Sequence, residues 1–195
     1  MRLALKFSLG LCVASLIGSC GYTLRGNARE FFNQNEIRTL YVAPVRNLSY
    51  KPGVEIVIYN ALRKRIAQGG YVRIVDQPGQ ADAEIEAKVL DASYGPSGIT
   101  TADQIAPVQT GPSNVQIASA YAVNLRVAFE LFKAGNRKRL WGDTVTRQKT
   151  FTASTYLGSL GSTSALINEG DFERSVGELA VSLVTDAEES MNSVF

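Results

Sequence analysis

The residue best placed to do chemistry is a cysteine. Cys20 closes the run Leu16-Ile17-Gly18-Ser19-Cys20, in which an apolar residue and two small ones precede a thiol. This is the bacterial lipobox pattern. Small side chains leave room for a peptidase beside the scissile bond, and the thiol is the group that takes up diacylglycerol. What precedes it fits. Arg2 and Lys6 are the only charges before Cys20, and Phe7 to Ile17 is mainly apolar. A basic start, a short apolar stretch and small residues at the cleavage point make residues 1–19 a signal peptide. That stretch falls short of the ~20 residues a helix needs to cross a bilayer core. The expectation is a chain held on a membrane by acylated Cys20, since each buried methylene contributes about 0.8 kcal/mol to attachment. Gly21 follows the cysteine. An Asp there would favour the inner membrane, so the outer membrane is favoured, with the domain on its periplasmic side.

The remaining chemistry is defined by what is missing. The chain has no histidine, and Cys12 leaves with the signal peptide. An acylated Cys20 then leaves no free thiol and no disulfide to form. The usual nucleophile–base pairs and zinc ligand sets cannot be assembled. Carboxylate-only or Ser–Lys chemistry survives in principle, but no glycine-rich phosphate loop is present. The expectation is no enzyme, no metal and no cofactor. The chain has 20 basic and 18 acidic residues, and removing Arg2 and Lys6 leaves 18 of each. A neutral domain argues against nucleic acid as a partner.

The elements that would carry a site read as follows. Residues 20–35 are predicted to be a lipidated tether and 36–195 one α/β domain. Thr39–Val45 reads as a strand, and Asn47–Gly53 as a turn. From Val54 to Ile66 the residues Val54, Val57, Ile58, Ala61, Leu62 and Ile66 fall at helical spacing, with Arg63, Lys64 and Arg65 in the last turn and Gly69-Gly70 as the stop. Tyr71–Val75 is a short strand. Ala83, Ile85, Ala87 and Val89 alternate with Glu84, Glu86 and Lys88, as in a strand with one buried face. Ala118–Phe132 and Leu140–Thr152 read as strands joined by a turn at Gly135-Asn136. Phe172, Val176, Leu179, Ala180, Leu183, Val184, Ala187 and Met191 make an amphipathic helix. The order β-α-β-β-β-β-α predicts an α+β fold, two helices on one face of a mostly antiparallel sheet of about four to five strands.

Two segments, Gly95–Ile117 and Ala153–Asn168, read as long loops with no Lys or Arg. They carry scattered apolar residues: Ile99, Ile105, Val108, Tyr156, Leu157 and Leu160. In a meander both emerge at one end, and the turn Arg137-Lys138-Arg139 emerges at the other. The prediction is a neutral, slightly apolar end that faces a partner, and a basic tip.

The run Cys20-Gly21-Tyr22-Thr23-Leu24-Arg25-Gly26 resembles the Cys-Gly-aromatic-x-Leu-Arg start of the LPS-assembly lipoproteins (LptE, formerly RlpB). The likeness continues in pattern through Thr39–Val45, the first long helix, the paired strands and the final helix. It implies a non-enzymatic protein that sits in the lumen of the outer-membrane LPS-transport β-barrel, one to one. There it would plug the barrel, help assemble it and bind lipopolysaccharide. Family members are thought to meet LPS phosphates with basic loop residues. Both long loops here lack them, so the candidates for LPS or another acidic surface are Arg137, Lys138, Arg139, Arg147 and Lys149. A second function stays open on the residues alone: a periplasmic-facing lipoprotein that binds an amphiphile or serves another envelope complex, such as a secretin.

Overall fold

The computed structural model describes residues 28–101, 116–152, 154–157, 163–166 and 169–193. The expected fold class is present. The chain forms α1 (Ala28–Gln34), β1 (Thr39–Val42), β2 (Arg46–Asn47), α2 (Val54–Gly69) and β3 (Arg73–Val75). A 3₁₀ turn at Pro78–Gln80 leads to β4 (Ala83–Thr101), β5 (Gln116–Lys133) and β6 (Arg139–Thr152), then β7 (Ser154–Leu157), β8 (Thr163–Leu166) and α3 (Glu169–Asn192). The helices pack on one face of a six-stranded sheet ordered β3-β1-β4-β5-β6, with β2 also on β4.

The sheet is mixed rather than mostly antiparallel. The long strands β4, β5 and β6 form the expected antiparallel meander. β1 instead pairs in parallel with both β3 and β4, and β2 in parallel with β4. The cause lies in the connections: a helix between β1 and β3 returns the chain to the end where it began, which makes neighbouring strands parallel. β1 and β2 lie successively along the same edge of β4, as one strand broken at Ala43-Pro44-Val45. The Ala43 N–H still reaches the Ile85 carbonyl at 3.0 Å, but Pro44 has no N–H to continue the ladder.

Both predicted helical faces are the buried ones. Val54, Ile58 and Leu62 of α2 are buried, with Val57, Ala61 and Ile66 packed beside them. All eight apolar positions picked out in α3, Phe172 through Met191, are in the core. α2 runs on to Gly69, so Arg63, Lys64 and Arg65 sit before its last turn. Gly70 ends it at φ +64°, a conformation that suits glycine, and its N–H returns to the Ile66 carbonyl. The segment read as tether contains α1. Its Ala28, Phe31 and Phe32 are buried at i, i+3 and i+4, one helical face packed against the other helices and the sheet.

Candidate functional site

Two ends of the meander hold the candidate residues, and they are built differently. At the hairpin end, backbone bonds run from strand to strand like a selvedge. Arg73 N–H donates to the Arg38 carbonyl (2.9 Å), Asp82 N–H to Thr39 (3.0 Å), Ala134 N–H to Asp82 (2.9 Å) and Lys133 N–H to Lys138 (2.8 Å). Asp82 is the brace. Its carboxylate accepts the N–H groups of Arg38 (2.9 Å) and Thr39 (2.8 Å) and the Thr39 hydroxyl (2.8 Å). Those bonds, the Arg38 N–H foremost, hold its carboxyl below the usual range, and the Lys133 charge adds to them.

The basic candidates are largely neutralised by partners. Arg137 bonds Glu86 and Glu84 and lies over the Phe132 ring at 5.0 Å. Its backbone, at φ +51°, holds the left-handed conformation that closes the turn after Gly135. Arg139 lies 3.7 Å from Glu130, which also accepts from Lys88 at 2.9 Å. Arg147 pairs with Asp186 and Lys149 with Glu178, tying β6 to α3. Of the five candidates, only Lys138 has no side-chain partner among the described residues. The structure therefore brings Arg137, Lys138 and Arg139 together at one end and sets Arg147 and Lys149 apart on the helix-bearing face of β6.

The opposite end differs from its reading as two loops. Gly95–Thr101 and residues 116 and 117 are strand, pairing Pro96 with Tyr121, Ile99 with Ala118 and Thr101 with Gln116. Register shifts at Pro96/Gly98 and Gly98/Ile99 absorb the Gly and Pro residues that a regular ladder excludes. β6 stops at Thr152 opposite Ala120, so β4 and β5 run beyond it as a two-stranded ribbon. The second presumed loop contains the hairpin β7–β8, with Ser154 opposite Leu166 and Leu157 opposite Thr163.

The turn after β2 joins this ribbon end, which sequence reading missed. Asn47 organises it: Nδ2 donates to the Lys51 carbonyl (2.8 Å) and Glu55 (2.7 Å), and Oδ1 accepts from the Ser49 N–H (2.9 Å) and hydroxyl (2.7 Å). Glu55 is held below its ordinary pKa, first by its own N–H at the helix start and then by Asn47. Lys51 folds back over Phe172 (4.7 Å) and Tyr94 (5.7 Å), whose rings touch at 5.1 Å. The turn leaves Leu48 65% exposed and Tyr50 fully exposed, with Arg46 exposed beside them, and Ile99 of the ribbon is also 65% exposed. The available signal was Asn47 two residues before Ser49, an Asx-turn pattern.

A family model for lipopolysaccharide assembly, LptE, matches residues 37–189. The chain belongs to the LptE lipopolysaccharide-assembly family. No curated protein sequence matches it. Among solved structures, it is similar to the rare lipoprotein B from Shewanella oneidensis, at 17% identity and TM-score 0.45 over 80% of this chain and 96% of that one. A PelC dodecamer subunit from Paraburkholderia phytofirmans gives 15% and 0.46 over 78% and 86%. A minor lipoprotein from Acinetobacter baumannii gives 12% and 0.42 over 80% and 94%. At these scores the likenesses carry no functional conclusion.

In this LptE-family chain, Cys20, Ile105, Val108 and Leu160 lie outside the described residues. Tyr156 and Leu157 are placed in β7 by their backbone pairing. Ile99 alone of the six apolar candidates has a described side chain, and it is exposed. An apolar cleft lies between the three helices and the sheet, lined by Phe32, Leu62, Tyr71, Trp141 and Met191, with the ion-paired Arg65 and Glu188 beside them.

Proposed function

We propose that this LptE-family chain is an outer-membrane lipoprotein, acylated at Cys20, that plugs and helps assemble the LPS-transport β-barrel in a one-to-one complex. The family match supports a role in lipopolysaccharide assembly. The observation that carries the finer reading is the make-up of the ribbon end. Leu48, Tyr50 and Ile99 stand exposed, and the adjacent Lys51 is turned onto aromatic rings, which leaves Arg46 as the exposed cation beside this turn. Such a surface enters a closed lumen with little desolvation penalty, because few charges must be stripped of water. Tyrosine is enriched among the anchors of protein interfaces. Residues Ile105, Val108, Tyr156, Leu157 and Leu160 belong to the same contact in this reading. Lys138, the basic candidate without a described partner, is the first choice for an LPS phosphate, with Arg137, Arg139, Arg147 and Lys149 behind it.

The test is purification of the intact lipoprotein from solubilised outer membranes. One large barrel protein in equimolar amount supports the proposal. No barrel at any detergent strength overturns it. Cys20→Ser should abolish labelling by a palmitate analogue, and retained label would remove the anchor assignment. The second reading, an amphiphile-binding lipoprotein, would need the apolar cleft, of about 50 Å³, to open around an acyl chain. Saturable quenching of Trp141 fluorescence by a brominated fatty acid, with no barrel recovered, would establish it.

A further inference from the structure

The sheet has two edges, and they are unequally defended. β3 presents three residues. β6 presents fourteen, without proline, in unbroken register with β5 from Thr152 opposite Ala120 to Trp141 opposite Leu131. No described strand pairs with its far side. A long regular edge offers its free N–H and carbonyl groups to another strand unless charged side chains guard it. The charges that would do so are diverted, since Arg147 and Lys149 lie down on Asp186 and Glu178 of α3. The alternate positions Thr144, Thr146, Gln148 and Thr150, on the face away from the helices, carry no charge.

The edge is also self-complementary. In Asp143-Thr144-Val145-Thr146-Arg147, an antiparallel copy centred on Val145 places Asp143 opposite Arg147 twice and Thr144 opposite Thr146 twice. Opposite charges and threonine pairs are favourable cross-strand neighbours. Arg147 is half-exposed and bonds Asp186 through Nε, with the Glu189 carboxylate also close by, and in the pairing the Asp143 of a second copy would join them. Beside the edge runs an open groove lined by Asp143, Arg147, Asp186, Glu189, Ser190 and Ser193. Its serines are small enough to let two α3 helices lie side by side.

We infer that two copies of this chain join through β6 as a two-fold dimer, continuing one sheet across both. The pairing is isologous, so it closes on itself and does not grow into fibres. It stands independently of the barrel reading: it describes the chain when no barrel strand occupies that edge.

Two experiments test it on the intact lipoprotein. Val145→Cys lies on the two-fold axis, and Cys20 is the only other cysteine beyond the signal peptide. Mild oxidation should give a disulfide dimer at position 145, with several-fold less from Gln148→Cys. Next, Asp143→Arg and Arg147→Asp each oppose like charges in their own homodimer and should weaken it at least tenfold by sedimentation. Mixed together they restore both pairs, and the heterodimer should form where neither parent does, with unchanged circular dichroism in each parent. Equal dimerisation of both parents and wild type would overturn the register. A wild type monomeric at every concentration, with no crosslink at 145, would overturn the dimer. Crosslinking of position 145 to a barrel protein alone would assign the edge to that partner instead.

Discussion

The hairpin end and the ribbon end are made from the same two strands, β4 and β5, yet they solve opposite problems. At the hairpin end several charges are paired: Arg137 with Glu84 and Glu86, Arg139 with Glu130, and Asp82 with two backbone N–H groups and a hydroxyl. At the ribbon end the described residues hold the apolar side chains of Leu48, Tyr50 and Ile99 out in water. One end satisfies itself, and the other leaves surface to be covered. The difference teaches that basic residues clustered in sequence can meet acidic neighbours across the sheet that no local pattern reports.

The comparison breaks or sharpens with substitutions at each end. The largest effect is expected from Trp141, buried two residues from the hairpin. Trp141→Ala should lose about 3–5 kcal/mol in chemical denaturation, and a loss under about 1 kcal/mol would mean the hairpin end is not part of the core. Asp82→Asn should lose about 1.5–3 kcal/mol at neutral pH, the worth of hydrogen bonds to a charged group. The sign follows from the depressed pKa. The stability that the charged Asp82 contributes is whole above the ordinary carboxylate value of about 3.9 and drains away as pH falls below it. The melting curves of the wild type and the Asp82→Asn variant should therefore converge in acid, and a gap that stays constant as the pH is lowered would reject the brace. At the other end Lys51→Met should lose only about 0.5–1 kcal/mol, a half-exposed cation over two rings. The smallest effect belongs to Tyr50→Ala, within about 0.5 kcal/mol of wild type in stability while barrel recovery falls. A large loss of stability there would show that Tyr50 is structural.

Periodicity made most of the fold readable before any coordinates. The eight core positions of α3 and the alternation from Ala83 to Val89 are long enough to show their repeat. α1 was not readable, because seven residues give less than two turns and its apolar set is only Ala28, Phe31 and Phe32. The parallel pairing of β1 was implicit in the helix that follows it but was outweighed by the antiparallel meander. The ribbon was hidden by Gly95-Pro96-Ser97-Gly98, whose residue types signal a loop unless a partner strand tolerates bulges. The surroundings of the candidate residues were hidden for a different reason. Arg137 meets Glu84 and Glu86 across about fifty residues of chain, and no local pattern reports such a pair. Leu48 and Tyr50 read as turn residues, and nothing local told that Asn47 would hold them in the open.

The central claim is that the ribbon end, and not the hairpin end, meets the barrel. Site-specific photo-crosslinking in intact cells tests it most directly, with probes at Tyr50, Ile99, Ile105 and Leu160 set against one at Lys138. The expected result is a single large barrel protein trapped from the first four positions and several-fold less from Lys138. Strong trapping from Lys138 with silence at all four others would contradict it.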